Sequence, residues 1–529
     1  MTSELIVFLL ALVFVTVKLL YCINASFSRH FCVIIVVLSC LYEISAGLLQ
    51  ILITHKSNNY YFAVTGSFIN PGAYGGFLAV CESLLLAYYI NNKEYFKLLN
   101  KQCFSIRLFY WALIMALSVS MIILPSTKSR SAMLGLGCSM IILGFATENI
   151  KSRILIILKN KGPWILTASI VAGIGLYFLK KPSADGRLFM DKICINVMRS
   201  NGWKGVGHGN FGGAYGEMQA CYFKTQIDNN GKNDLDWKAL NNKDRIIADC
   251  PDNAFNEYLF IGVEEGLIAM LLFIGFIVSS AVVSFKRKTI WCYGLMAFGV
   301  FALFSYPLHI RQFQIMFFVL LAACLSDKMG HERRYYKLEP IILSLVMVIL
   351  SIIIIIKLPV VKNRKIAEDM WKDTKNWYMM GYYDYVLEDG DALMCFLYDD
   401  PEFLLAYGQS LFHKGYYDKS DSILTLGTKI SSDPMFWNVM GNNSLAQGKF
   451  REAEERYKHA FYMVPNRIFP LYLLAKLYHC EGDTARFIEM SDKIIFFKPK
   501  VESIKTEQYR SEIMELKSII NNEIDMSND

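Results

Sequence analysis

Charge is scarce in this chain. Only 19% of its residues are Asp, Glu, Lys or Arg, against about 25% in a soluble domain. With 54% hydrophobic residues, that shortage argues against a soluble enzyme and for a polytopic membrane protein. Zinc-type cysteine spacing is missing too. The thirteen cysteines contain no CxxC and no Cys/His pattern, and most lie in apolar runs, where cysteine packs as a small hydrophobe. Cys221 and Cys250 flank the polar part of a long loop, where a disulfide and two free thiols are both open readings. The first run, MTSELIVFLLALVFVTVKLL, has no basic leader and no small-residue cleavage site, so a retained helix is expected. No Gly-Lys-Ser/Thr follows the glycine-rich stretch described below, which excludes a Walker loop. No nucleic-acid partner is expected.

What is present in quantity is apolar sequence. Ten runs approach the roughly 20 residues that span a bilayer. They are Leu5–Ile23, Phe31–Ile51, Pro71–Ile90, Leu108–Leu124, Ala132–Ala146, Trp164–Leu179, Phe255–Ser284, Trp291–Phe304, Phe313–Leu325 and Pro340–Ile356. Lys and Arg fall unevenly between them. Alternate short loops carry sixteen, among them Arg29, Lys97, Lys101, Arg153, Arg287, Lys328, Arg333, Arg334 and Lys337; the opposite loops carry four, Lys56, Lys128, Arg130 and Arg311. The richer side is expected to be cytoplasmic. The long loop 180–254 and everything after the last run are then expected on the outer face.

That loop is rich in Gly, Asn and Asp and cannot lie in hydrocarbon, because its backbone groups would go unpaired. Its aromatics and its six glycines from Gly205 to Gly216, in GWKGVGHGNFGGAYGEMQA, imply a folded loop whose backbone can approach a ligand. After residue 357 the composition becomes soluble and repetitive. GYYDY begins at Gly381, GYYDK at Gly415, GKFRE at Gly448 and GDTAR at Gly482, with prolines in nearly constant phase at Pro401, Pro434, Pro465 and Pro499. One unit holds Trp437, Gly441, Ala453, Tyr457, Ala460 and Pro465, and resembles the tetratricopeptide repeat. The expected fold is therefore all-α: a transmembrane bundle of about ten spans over residues 1–357 with a large periplasmic loop, then a tetratricopeptide-like α-solenoid over 358–529 able to hold a peptide or protein partner.

Few ionisable groups occupy the outer loops, so each is a candidate. Arg130 sits in PSTKSRSAML and Arg187 in ADGRLFMDK; His208 lies inside the glycine stretch; Asp252 comes just before the seventh apolar run, which Asn256, Glu257, Glu264 and Glu265 open. Charges at a membrane boundary are often snorkelling anchors, a reading that suits Lys128 and Arg199 better than Arg130. Carboxylates in a spanning helix are costly unless they face protein or water. Helix capping accounts for Asn256 and Glu257 but poorly for Glu264. Glu257 and Glu264, seven residues apart, are expected on one helical face.

In order, TGSFINPGAYGGFLAV, TKSRSAMLGL, GRLFMDK with GWKGVGHGNFGGAYGEMQA, AFNEYLFIGVEEGLIAMLL and SYPLHIRQF resemble the O-antigen ligase / O-antigen polymerase (Wzy_C) superfamily over roughly the first 330 residues. The resemblance implies an enzyme of the bacterial inner membrane. It would transfer a glycan from undecaprenyl diphosphate to an acceptor hydroxyl at the periplasmic face, without metal, cofactor or nucleotide sugar. Lipid A core or a protein is the favoured acceptor. A polymerase, or a non-catalytic membrane-anchored repeat scaffold, is the alternative. Arg130 and Arg187 match the paired arginines of that superfamily and Arg311 adds a third, all expected on the donor diphosphate, where guanidinium forks suit phosphate oxygens. Asn70, Gly207, Gly209, Asp252 and Asn256 are expected to position the loop and the acceptor. Ligases of the family carry a His-Asn pair before a glycine; here Asn256 and Gly266 match, but Phe255 replaces the histidine. His208, Asp252, Glu257 and Glu264 are the candidates for the missing base, His208 first.

Overall fold

A computed structural model describes residues 3–52, 55–93, 104–179, 181–229, 235, 237–327 and 338–528; among these no strand occurs, and the architecture is all-helical. Lys97, Lys101, Lys328, Arg333, Arg334 and Lys337, used above for orientation, lie outside the described residues. The helices are α1 (Ser3–Ile23), α2 (Ala25–Ile51), α3 (Pro71–Asn91), α4 (Phe104–Ile123), α5 (Arg130–Ala146), α6 (Glu148–Leu179) and α7 (Lys181–Asn201). They continue with α8 (Phe211–Asn229), α9 (Asn242–Ile247), α10 (Glu257–Glu264), α11 (Leu267–Lys286), α12 (Trp291–Ala302), α13 (Arg311–Ser326) and α14 (Leu338–Met379). The remainder are α15 (Tyr383–Leu397), α16 (Pro401–His413), α17 (Tyr417–Ile430), α18 (Met435–Ala446), α19 (Phe450–Met463), α20 (Phe469–Glu481), α21 (Thr484–Ile495) and α22 (Ile504–Asn528).

Among the described residues, six helices are long and apolar enough to cross a membrane: Leu5–Ile23, Ala25–Ile51, Pro71–Asn91, Phe104–Thr127, Leu267–Lys286 and Leu338–Met379. A bent pair, Arg130–Ala146 with Ile150–Lys161, makes seven if it is one span; Trp291–Ala302 and Arg311–Ser326 are shorter apolar helices. The run Phe255–Ser284 is not one helix. It breaks between α10 and α11 at Gly266, which adopts φ +91° and has the Trp203 carbonyl where a Cβ would stand. Only glycine accommodates both conditions.

The chain divides into two compact units. One comprises Met1–Lys180, Phe255–Tyr258 and Ala269–Val361; the other comprises Lys181–Ala254, Leu259–Ile268 and Lys362–Asp529. The loop expected to belong with residues 1–357 thus folds together with the C-terminal helices.

In the first unit α3 is the most enclosed span, with 83% of its apolar window buried. Small residues let its neighbours approach, as is usual where helices pack without a hydrophobic drive. Gly76 meets the Phe301 ring of α12, and a Cβ on Gly135 of α5 would stand 2.7 Å from the Ala297 carbonyl. Phe68, Phe77, Phe298, Phe301 and Phe313 form a buried ring cluster, Phe77 meeting Phe313 edge-on at 5.7 Å and Phe301 stacking on it at 5.4 Å. At the C-terminal end of α13, Asp327 is fully buried and accepts from Arg29 Nε at 2.8 Å, from Arg29 Nη2, and from Trp291 Nε1 at 2.9 Å.

In the second unit, glycine turns join consecutive helices: Gly381 before α15, Gly415 before α17, Gly448 before α19 and Gly482 before α21. All have φ between +73° and +81°, the left-handed residue that ends a helix. Small residues inside these helices face rings of the next one, Gly390 against Tyr407, Gly427 against Phe436 and Gly441 against Tyr457. The loop is itself largely helical. Gly212, Gly213 and Gly216 belong to α8 rather than to an open turn, because their bare face takes the Ile430 and Lys429 carbonyls and Ser432 at the end of α17.

Removing one partner of a buried ion pair strands the other charge and costs about 3–5 kcal/mol, whereas an exposed pair is worth about 1 kcal/mol or less. Asp327→Ala is therefore expected to lower the thermal midpoint of the purified protein sharply. Lys18→Ala, at the partly exposed Lys18–Glu339 pair, should leave it nearly unchanged; equal midpoints for the two variants would contradict this.

Candidate functional site

The first unit draws four of the singled-out stretches together. The turn before α3 is held by α2: Gln50 Oε1 accepts the Thr65 and Gly66 amides at 2.8 and 2.9 Å, and the buried Glu43 accepts the Ser67 amide at 3.0 Å and the Ser67 hydroxyl. Asn70 then caps α3, accepting the Gly72 amide at 2.7 Å. The chain enters α5 through Lys128 in the left-handed region (φ 51°) and Ser129, whose hydroxyl accepts the Ala132 amide and donates to the Gly72 carbonyl, each at 3.4 Å. The starts of α3 and α5 therefore meet, and half-buried Arg130 occupies the first position of α5.

The stretch leading to α13 joins the same neighbourhood. Phe68, two residues before Asn70, lies 6.0 Å from Phe313, two residues after Arg311. Arg311 is exposed at the first position of α13. Glu257, 2% exposed, accepts the Leu308 amide at 3.0 Å, with His309 Nδ1 3.6 Å from its other oxygen. It holds the Pro307–His309 turn rather than merely charging a helix start. Phe255, at the position where the resemblance places histidine, takes a left-handed backbone (φ 42°) and meets Tyr306 edge-on at 5.0 Å. Asn256 beside it is half-buried.

In the second unit the glycine-rich turn is pinned to the end of α10. The Val206 and Gly207 amides donate to the Val263 and Glu264 carbonyls, each at 2.9 Å, and the close approach leaves no room for a Cβ on Gly205. Glu264, 3% exposed, accepts the Gly209 amide at 3.0 Å and the Phe211 amide at 3.3 Å on Oε1, so its carboxylate caps α8. His208, between Gly207 and Gly209, projects outward with its Nδ1 3.4 Å from Glu264 Oε2 and 3.3 Å from Glu265 Oε1. These three side chains have the geometry of a metal-ligand group. Glu257 and Glu264, on one short helix, thus have partners in different units. Asp252 is exposed near Cys250 and is not part of the His208 group. Cys221 and Cys250 are both free thiols, and burial pushes the Cys250 thiol up to about 12.

Arg187 lies half-buried in α7, also in the second unit, so Arg130 and Arg311 on one side and Arg187 on the other are placed each within its own unit. Burial pushes the Asp191 carboxyl, one helical turn after Arg187, up to about 6 against the pull of that guanidinium. The loop docks on the C-terminal helices through buried polar groups. Asn466 Nδ2 donates to the carbonyls of Arg245 at 2.9 Å and Ala248 at 2.8 Å. Arg245, 1% exposed, lies over the Trp237 and Phe497 rings and donates to the Lys498 carbonyl at 3.0 Å.

Sequence reasoning passed over Glu43, Gln50 and His309, and noted Glu265 only as a polar group at the start of the seventh apolar run. Glu43 was signalled as the one carboxylate in Phe31–Ile51, and His309 stood two residues before Arg311 in a stretch already singled out. Comparison with protein-family models, with curated proteins and with solved structures finds no match to this chain.

Asn466→Ala would leave at least two buried carbonyls without donors, at about 1–3 kcal/mol each. The variant is expected to melt earlier and to be cut by protease faster within residues 235–250 than the parent protein. Identical cleavage rates would contradict the docking role.

Proposed function

We infer that this protein transfers a glycan from an undecaprenyl-diphosphate carrier to an acceptor hydroxyl at the periplasmic face of the bacterial inner membrane, in the manner of the O-antigen ligase / polymerase superfamily. The observation that carries this reading is the convergence in one unit of the Asn70 cap, the Arg130 helix start and the Glu257-bound turn that leads to Arg311. These stretches are far apart in sequence and are the ones the resemblance rests on. A diphosphate leaving group accumulates negative charge as the anomeric bond breaks. Fixed guanidinium groups and helix N-termini stabilise such charge without reorganising. Arg130 and Arg311 each stand at a helix start of the first unit; Arg187, in α7 of the second unit, enters as a donor-diphosphate residue through the resemblance alone. Glu257 and His309, 3.6 Å apart in the turn that leads to Arg311, replace the absent histidine at Phe255 as candidates for deprotonating the acceptor. Glu264 has its carboxylate engaged by two amides, which suits a positioning role.

The C-terminal helices form a tetratricopeptide-like solenoid in this reading. Part of its surface already carries the chain's own loop, through Asn466, Arg245 and the glycines of α8. Its first duty is to shape that loop, and what remains exposed serves a protein or lipid A core acceptor.

Two predictions follow from the arginines. Arg130→Ala and Arg187→Ala should each lower glycan transfer about 100-fold or more in a complemented deletion strain, with membrane insertion unchanged, and Lys at either place should restore only part of it. Unaltered transfer in both would remove the mechanism. The second concerns pH. Asp191 is charged above about 6 and offsets Arg187; below that value it is neutral. Affinity for a short polyprenyl diphosphate, taken relative to Asp191→Asn at the same pH so that the ligand's own protonation near pH 6 cancels, should therefore rise about threefold from pH 7.5 to 5.5, the effect of one partly screened charge a helical turn away. Asp191→Asn should bind about threefold tighter than the wild type at pH 7.5 and equally at pH 5.5. A wild-type profile identical to that of the variant would reject the coupling.

A further inference from the structure

We propose that His208, Glu264 and Glu265 form a binding site for a divalent transition cation that clasps the glycine-rich turn to the end of α10. The proposal stands apart from the transfer reading and rests on the geometry of the second unit alone. His208 Nδ1, Glu264 Oε2 and Glu265 Oε1 lie within 4.8 Å of one another, with the imidazole nitrogen 3.4 and 3.3 Å from the two oxygens. Direct N–H···O hydrogen bonds centre on about 2.9–3.0 Å. Bonds of about 2.0–2.2 Å from one tetrahedral ion place its ligand atoms about 3.4 Å apart. The two nitrogen–oxygen separations match the second distance.

The surroundings have the features of a built site. Glu264 is 3% exposed, and its other oxygen is fixed by the Gly209 and Phe211 amides, so Oε2 is presented toward His208 by its partners. His208 itself is set by Gly207 (φ +92°) and Gly209 (φ +78°), with the turn closed by Asn210 Nδ2 donating to the Val206 carbonyl at 3.1 Å. Two adjacent carboxylates converging on one imidazole leave negative charge that a dication neutralises. The His208 side chain is 72% exposed and that of Glu265 is 48% exposed, which gives an ion a path from solvent and leaves coordination positions for water or an oxygen ligand. One imidazole and two carboxylates suit Mn²⁺ or Zn²⁺.

Mn²⁺ is the probe of choice, because the chain carries thirteen cysteines and thiolates compete poorly for that ion. The full-length protein in detergent, stripped with EDTA and returned to pH 7.5, is titrated with Mn²⁺ while the free-ion electron paramagnetic resonance signal is followed. One ion per chain is expected, with His208→Ala and Glu265→Gln each weakening it about tenfold or more. Both residues are exposed, so both variants should keep the circular dichroism and elution volume of the parent. Three outcomes would overturn the proposal. One is no binding at pH 7.5. Another is binding that neither variant weakens, the mark of scattered surface acids. The last is full Mn²⁺ affinity in the two variants combined.

Discussion

A polar turn set among apolar helices has to find a partner for each amide, since neither lipid nor side-chain hydrocarbon supplies one. In this protein, side chains projecting from neighbouring helices meet that demand. Gln50 and Glu43 hold the turn before α3, Glu257 holds the turn before α13, and Glu264 closes the N-terminus of α8. Each of these groups is buried, and each fixes a short segment that begins a helix. The segments with the most conspicuous residues are therefore held to their positions rather than left to wander as loops.

Glycine serves the same end by another route. Where α8 meets the end of α17, and where the turn at Gly205 meets that at Gly266, backbone lies directly on backbone. Such contacts are short and geometrically exacting, so they give the loop a defined shape against the C-terminal helices. Asn466 and Arg245 add polar links to the same surface, and Arg245 stacks between rings with carbonyls as its acceptors. The C-terminal region is thus a structural part of whatever the loop does, and its removal would uncover α8 as well as any docking surface for an acceptor.

Much of the helical layout was legible in the chain. Long apolar runs with few charges can be little else, and the glycine spacing at Gly381, Gly415, Gly448 and Gly482 announced the turns that end α14, α16, α18 and α20. Less visible was the fate of glycines inside a polar stretch. Gly212, Gly213 and Gly216 suggested a folded loop whose backbone could approach a ligand, but helix packing needs small residues as much as ligand contacts do, and sequence alone does not separate the two uses. The break at Gly266 was hidden for a related reason, since the Trp203 carbonyl that requires it lies more than 60 residues away. Among the candidate bases, His208 and Glu264 lie side by side, a pairing that the spacing of 56 residues did not announce, and Asp252 is not part of that group. His309 escaped notice because its partner, Glu257, sits 52 positions earlier and only the fold pairs them.

The proposed transfer of a glycan off a lipid diphosphate is tested most directly by the glycan inventory of a strain lacking the chain, with lipid-linked intermediates, lipopolysaccharide and glycoproteins analysed together. Complete lipid-linked glycan should accumulate beside an acceptor left unmodified. An inventory unchanged from the parent strain, in all three fractions, would contradict it.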